Sequence, residues 1–345
     1  MSDSVKSSRA GRPTIRDVAR LAKVSIGTVS AVINNSGRPV AVETREHVQR
    51  CIAELHFEPN SAARSLKRQR VSSIGFIVPD LGNAFFANVA EGIQSALDNV
   101  DCLLVLCMTW SDTRREEYYA QVLRTQRLNG VIYLSGTGLP SPSLISLAQQ
   151  GSVVFVDECL PGIDVPFISA QNLSGARDLA AHVLACGHRR LAVISGPRGL
   201  WTNEQRLAGF REAFAGAGIP PDSVPVLRGD YTERGGREAA ETILVMAERP
   251  TAVLCANDLM AIGFIRRCAE RHIRVPEDIS VTGFDDIPDA SRLVPALTTV
   301  RQPGREMGRA AAALLLQRIG AQSAGPERSD FATELCIRAS VGPRP

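Results

Sequence analysis

The chain has 345 residues, 44% of them hydrophobic and 22% charged, with a net charge of +3 at neutral pH. That length allows two or three domains with substantial cores, and no apolar run approaches the ~20 residues that a membrane helix needs. The charge is unevenly placed: residues 1–70 hold 13 Lys or Arg against 6 Asp or Glu, net +7, leaving −4 for the rest, a balance that suits a protein touching a polyanion at one end only.

Residues 1–13 read as a disordered tail. The stretch MSDSVKSSRAGR is polar and lacks the apolar centre of an export signal, so a cytoplasmic location is expected. Thr14 followed three residues later by Asp17 predicts a capping box that starts a helix. Ile15, Val18, Leu21 and Ala22 then fall on one face of it. Ser25 caps a second helix that turns Val29, Val32 and Ile33 inward and leaves Thr28, Ser30 and Asn34 outward. Two short helices joined by a tight turn form the layout that places a helix in a DNA groove. A third helix over 43–55, carrying Val48, Ile52 and Leu55, closes a small core. The headpiece is thus assigned to 14–58, and 59–70, ending in the basic run Lys67-Arg68-Gln69-Arg70, to a hinge.

Beyond residue 70 short apolar runs alternate with amphipathic stretches. Strands are expected at 73–78, 103–108, 130–134, 153–156, 191–195, 224–227, 252–256 and 279–284. Helices are expected at 85–97, 114–127, 172–186, 204–215, 233–247, 259–271 and 305–319. Such alternation predicts parallel sheets covered by helices, and two successive sets predict two lobes in a unit spanning 71–345. Ligands in such folds sit at the C-terminal ends of strands, here between the lobes.

Catalytic signatures are missing. There is no GxxxxGK[ST], HExxH, GxSxG or GxGxxG, and Ser135-Gly136-Thr137-Gly138 reads as a loop. The eight cysteines form no CxxC pair and sit mostly in apolar runs, so buried thiols are expected and neither a disulfide framework nor a metal site. His188, in Cys-Gly-His-Arg-Arg, is expected to cap a helix exit. No enzyme activity and no cofactor are expected.

The paired motifs TIRDVARLAKVS and TVS in the headpiece, with PN and ARSLK in the hinge, resemble bacterial transcription regulators of the lactose/galactose repressor family. The resemblance runs from Thr14 to about Ser340. It implies an all-α helix-turn-helix headpiece joined to an α/β, two-lobed sensor like periplasmic sugar-binding proteins. It also implies a homodimer reading a pseudo-palindromic operator in double-stranded DNA under control of a small-molecule effector. No leucine-rich heptad tail follows residue 340, so a dimer is expected and not a tail-assembled tetramer.

Carried over residue by residue, the resemblance places phosphate contacts at Thr14, Ser25, Thr28, Ser30 and Asn34, whose hydroxyls and amide suit them. The base-reading positions fall on Ile26, Gly27 and Ala31. Relatives often carry bulky or polar groups there; this chain offers only apolar contact, best matched to thymine methyls. Leu66 matches the hinge leucine that wedges into the minor groove, with Arg64 near phosphate. In the sensor, Arg206, Asn257 and Asp285 match the polar effector contacts, and Phe85, Trp201 and Tyr231 the aromatic ones. Phe86 is expected in the core and Trp201 in a loop before a helix. Gln171 stands where relatives often have an acid. A sugar or sugar acid is the first expected effector and a nucleobase the second. The other readings are a solute-binding protein without DNA-reading function and an α/β enzyme.

Overall fold

A computed structural model describes residues 13–34, 40–55, 57, 73–98, 100–126, 128–320 and 328–344. The chain divides into two compact units, Met1–Arg70 and Val71–Pro345.

In the first unit, α1 (Ile15–Leu21), α2 (Ile26–Asn34) and α3 (Val42–Glu54) pack around Val18, Ala19, Val29, Val32, Val48 and Cys51. The predicted caps are present. The Asp17 carboxylate accepts from the Thr14 backbone N–H at 2.9 Å and from its hydroxyl at 2.6 Å. Ser25 Oγ accepts from the Thr28 N–H at 3.0 Å.

The second unit follows the expected alternation: β1 (Ser73–Val78), α4 (Ala84–Leu97), β2 (Leu103–Met108), α5 (Thr113–Thr125), β3 (Gly130–Tyr133), α6 (Pro142–Gln149), β4 (Val153–Val156) and β5 (Phe167–Ala170). Next come α7 (Asn172–Ala185), β6 (Leu191–Ser195), α8 (Trp201–Gly216), β7 (Val226–Arg228), α9 (Glu233–Ile243), β8 (Ala252–Cys255), α10 (Asp258–Glu270) and β9 (Ser280–Thr282). The chain ends with α11 (Pro288–Arg292), β10 (Thr299–Arg301), α12 (Gly304–Gly320), β11 (Arg328–Phe331) and β12 (Glu334–Cys336).

Two parallel sheets result, ordered β11-β5-β4-β3-β1-β2 and β7-β6-β8-β9, with β10 and β12 forming an antiparallel ribbon. Each sheet has apolar side chains on both faces, as all-parallel sheets require. In the first lobe, α4 and α12 cover one face through Val89, Ile93, Met307, Ala311 and Leu315, and α5 and α6 cover the other through Ala120, Leu123 and Leu144. In the second, α9 and α10 pack on one face and α7 and α8 on the other. Because α12 returns to the first lobe, the chain crosses between lobes near residues 171, 302 and 332.

Helix 8 begins at Trp201, three residues before the predicted start, so Trp201 is helical and not in a loop. His188 does not cap the exit of α7. It is buried, with Nδ1 2.9 Å from Thr251 Oγ1 and Nε2 3.0 Å from the Gly342 carbonyl. Arg189 serves the exit instead, donating to the Leu184 carbonyl at 2.8 Å. No helix among the described residues is long and apolar enough to cross a membrane.

Candidate DNA interface and effector site

The headpiece offers a short exposed face. Thr14, Ser25, Ile26 and Gly27 are exposed, Ile26 to 46%, and Thr28 and Ser30 are half-buried. Three of these, Thr14, Ser25 and Thr28, place a hydroxyl at the start of one of the paired helices, where backbone N–H groups also point outward. Ala31 departs from expectation. At 5% exposure its methyl has almost no surface to offer a base, whereas Ile26 and Gly27 are exposed. Asn34 ends α2, but its side chain, with Arg64 and Leu66, lies outside the described residues.

The polar centre of the sensor is Arg206, only 3% exposed on the second turn of α8. Its Nε donates to Asn172 Oδ1 at 2.8 Å and its Nη1 to the Ala256 carbonyl at 2.6 Å. The guanidinium lies 4.0 Å from the Phe284 ring centroid, and Nη1 stands 3.5 Å from Asp285 Oδ1. Asp285 in turn accepts from Gln302 Nε2 at 2.8 Å and, across the lobes, from Asn83 Nδ2 at 3.4 Å. Its backbone is left-handed, φ +116°, a conformation that costs about 1–3 kcal/mol in a non-glycine residue and marks functional sites.

Two further acids end β4. Asp157 and Glu158 are both buried. Burial pushes the Asp157 carboxyl up to about 7, with Arg206 opposing and Asp285 adding to the shift. Burial, reinforced by Asp157, pushes Glu158 up to about 8. Asp285 is also raised, by burial, against the pull of Arg206. For Arg206, burial alone would weaken the charge, but Asp285, Asp157 and Glu158 more than offset it. Asp157 Oδ1 and Gln302 Oε1 are buried without a hydrogen-bond partner among the described residues.

Of the six sequence-predicted effector residues, Arg206, Asp285 and Tyr231 come together: the Arg206 guanidinium is 5.9 Å from the Tyr231 ring. Asn257 adjoins them mainly as scaffold. Its Oδ1 caps α10 at the Met260 N–H, 3.0 Å, and its Nδ2 donates to the Tyr231 carbonyl at 3.0 Å, holding that residue at φ +63°. Phe85 is a correction. It is buried to 2% exposure in the first-lobe core, and Phe86 is the half-buried member of the pair. Phe85, Val89, Ile93 and Leu97 recur every four residues and form the inward stripe of α4. Trp201 is also reassigned: its ring packs edge-on against Phe167 at 5.1 Å, beneath the Arg328 guanidinium, which commits it to contact with the first lobe.

Sequence reasoning missed Asn83, Asp157, Glu158, Asn172 and Gln302. Asp157 and Glu158 carried a usable signal, since two acids stand directly after the apolar run 153–156 as Asp285 stands after Phe284. The neutral amides had none. Among the described residues no cluster of three His, Cys, Asp or Glu side chains is suited to a metal ion.

Residues 14–60 match the family model described as bacterial regulatory proteins, lacI family, and residues 180–341 match a periplasmic binding protein-like domain. The repressor PurR of Escherichia fergusonii is 34% identical over 335 residues, covering 96% of this chain and 98% of that protein. The chain belongs to the LacI family. Among solved structures, the Lac repressor dimer bound to operator and the anti-inducer ONPF superposes with a TM-score of 0.84 at 28% identity, covering 96% of this chain and 100% of that one. A complex of the regulator CelR with cellobiose gives 0.70 at 33% identity, over 95% of this chain and 100% of that one. This LacI-family member is a DNA-binding transcriptional repressor with an effector domain. Its relatives are regulators and not enzymes.

Proposed function

We propose that the operator affinity of this repressor is set by a small, neutral, hydroxyl-rich metabolite, a sugar, held between the lobes of the sensor. The observation that carries this reading is the charge balance around Arg206. Asp157, Glu158 and Asp285 surround a guanidinium already engaged by Asn172, the Ala256 carbonyl and Phe284. An acidic sugar would find the Arg206 charge already balanced by Asp285, with Asp157 and Glu158 pushed toward their neutral forms beside it, so the sugar-acid half of the sequence expectation is disfavoured. Hydroxyls instead complement Asp157 Oδ1 and Gln302 Oε1, buried acceptors that are costly to leave unmet. The relative solved with cellobiose supports the class.

On DNA, a homodimer would read a pseudo-palindrome. Thr14, Ser25, Thr28, Ser30 and Asn34 would hold phosphates, Ile26 and Gly27 would face base edges, and Arg64 and Leu66 would act in the hinge. Exposed apolar side chains on the edge strand β2 and beside it (Leu103, Leu106, Met108, Trp110 and Tyr118) supply a surface suited to self-association. The effector acts only through its differential affinity for the two sensor states, a coupling of about 1–3 kcal/mol in typical cases.

Thermal shift of the full chain against neutral mono- and disaccharides, sugar acids and nucleosides tests the effector class. A neutral sugar should raise the melting midpoint, and Asp285→Ala should abolish the rise. Stabilisation by acids or nucleosides alone would overturn the reading.

A further inference from the structure

We propose that Glu158 is a positioning residue for the effector site: it belongs to the first lobe yet caps the second-lobe helix that carries Arg206, and so latches the two lobes together.

The first turn of a helix leaves backbone N–H groups without intrahelical acceptors, and a side chain just before the helix usually supplies one. At the start of α8 that position is Leu200, which has no side-chain cap. The acceptor comes from 44 residues upstream. Glu158, at the end of β4, accepts from the Thr202 backbone N–H at 3.3 and 3.4 Å through its two oxygens, and its Oε1 also accepts from the Thr202 hydroxyl. Both partners are buried.

Neighbouring contacts make the first turn of α8 a docking point on the first lobe. Trp201 packs against Phe167 of β5, with Arg328 of β11 5.5 Å over its ring. Gly138, at φ +70°, comes so close to Gly199 that a Cβ there would lie 2.4 Å from the Gly199 carbonyl oxygen. Thr202 and Arg206 are four residues apart and share a face of α8. The turn that Glu158 fixes therefore lies directly beneath the turn that presents Arg206 to Asn172 and Asp285. Separating the lobes removes the cap and frees that turn. Closure and Arg206 placement are thus one event, which bears on regulation of the effector site and rests on that reading for its consequence only.

The test needs neither effector nor DNA, so its outcome is independent of the effector class. The chain has two tryptophans. Trp110 is 60% exposed, and Trp110→Phe leaves Trp201 as the sole reporter of lobe contact. In that background, acrylamide quenching of the full chain should rise at least twofold in Glu158→Ala, with red-shifted emission. Glu158→Gln, whose amide oxygen keeps an acceptor for the N–H and the hydroxyl, should restore the parent value. Thr202→Val should also raise quenching, and Glu158→Ala should add little to it. Quenching unchanged in a Glu158→Ala protein that melts like its parent would overturn the proposal. Should Glu158→Ala fail to fold, Thr202→Val decides by the same two outcomes.

Discussion

A guanidinium at 3% exposure persists only where acceptors and opposite charge surround it, and Arg206 has both. Removing one partner of such a set leaves the others uncompensated. Arg206→Ala should therefore cost the sensor unit about 3–5 kcal/mol, read from urea unfolding; a loss under 1 kcal/mol would show that the pairing with Asp285 is incidental. Asp157 makes a second prediction. Its folded carboxyl is raised from 3.8 to about 7, so between those values the folded state holds a proton that the unfolded state has lost. Its contribution to stability therefore falls as pH rises through that window. Asp157→Asn abolishes this titration and should gain on the parent in melting midpoint from pH 5 to pH 8; a difference independent of pH would contradict the assignment. Arg206 and Asp285 were legible in the sequence because both match polar effector positions of the family, and Asp285 also directly follows the apolar run that ends at Phe284. Glu158 was half-legible: the acid was visible, but its partner lies in another lobe.

At the scale of elements, the helix pairs of the sensor are set by glycine. A Cβ on Gly92 of α4 would lie 2.0 Å from the Arg305 carbonyl oxygen of α12, and one on Gly308 of α12 would lie 2.1 Å from the Val89 carbonyl oxygen. The same reciprocity joins α9 to α10 through Gly236 and Gly263. These helices touch backbone to backbone, so any side chain forces them apart. Gly308→Ala should destabilise the sensor by about 1–3 kcal/mol in urea unfolding, and a neutral outcome would mean that the helix pair slides to make room. Long amphipathic helices and buried strands were readable from their periodicity. The short strands β5, β11 and β12 were not: each has three or four residues, and the β11 sequence Arg-Ser-Asp-Phe is polar, its hydrogen bonds to β5 being fixed by tertiary position. The early start of α8 was illegible for a related reason, because its cap is remote in sequence.

At the scale of the whole molecule, a basic end joined to an acidic remainder, net +7 against −4, matches a repressor that meets DNA with its headpiece. Phosphate contact by basic residues releases condensed counterions, so operator affinity should fall by about 10³–10⁵ between 50 and 200 mM salt for a dimer making some 6–10 such contacts. Selection of bound duplexes from a random pool by the full-length protein, repeated across the sugar panel, tests the central claim most directly. The account predicts an enriched pseudo-palindrome whose recovery changes with a neutral sugar and stops responding in Asp285→Ala. A pool that stays random with and without every sugar would contradict it.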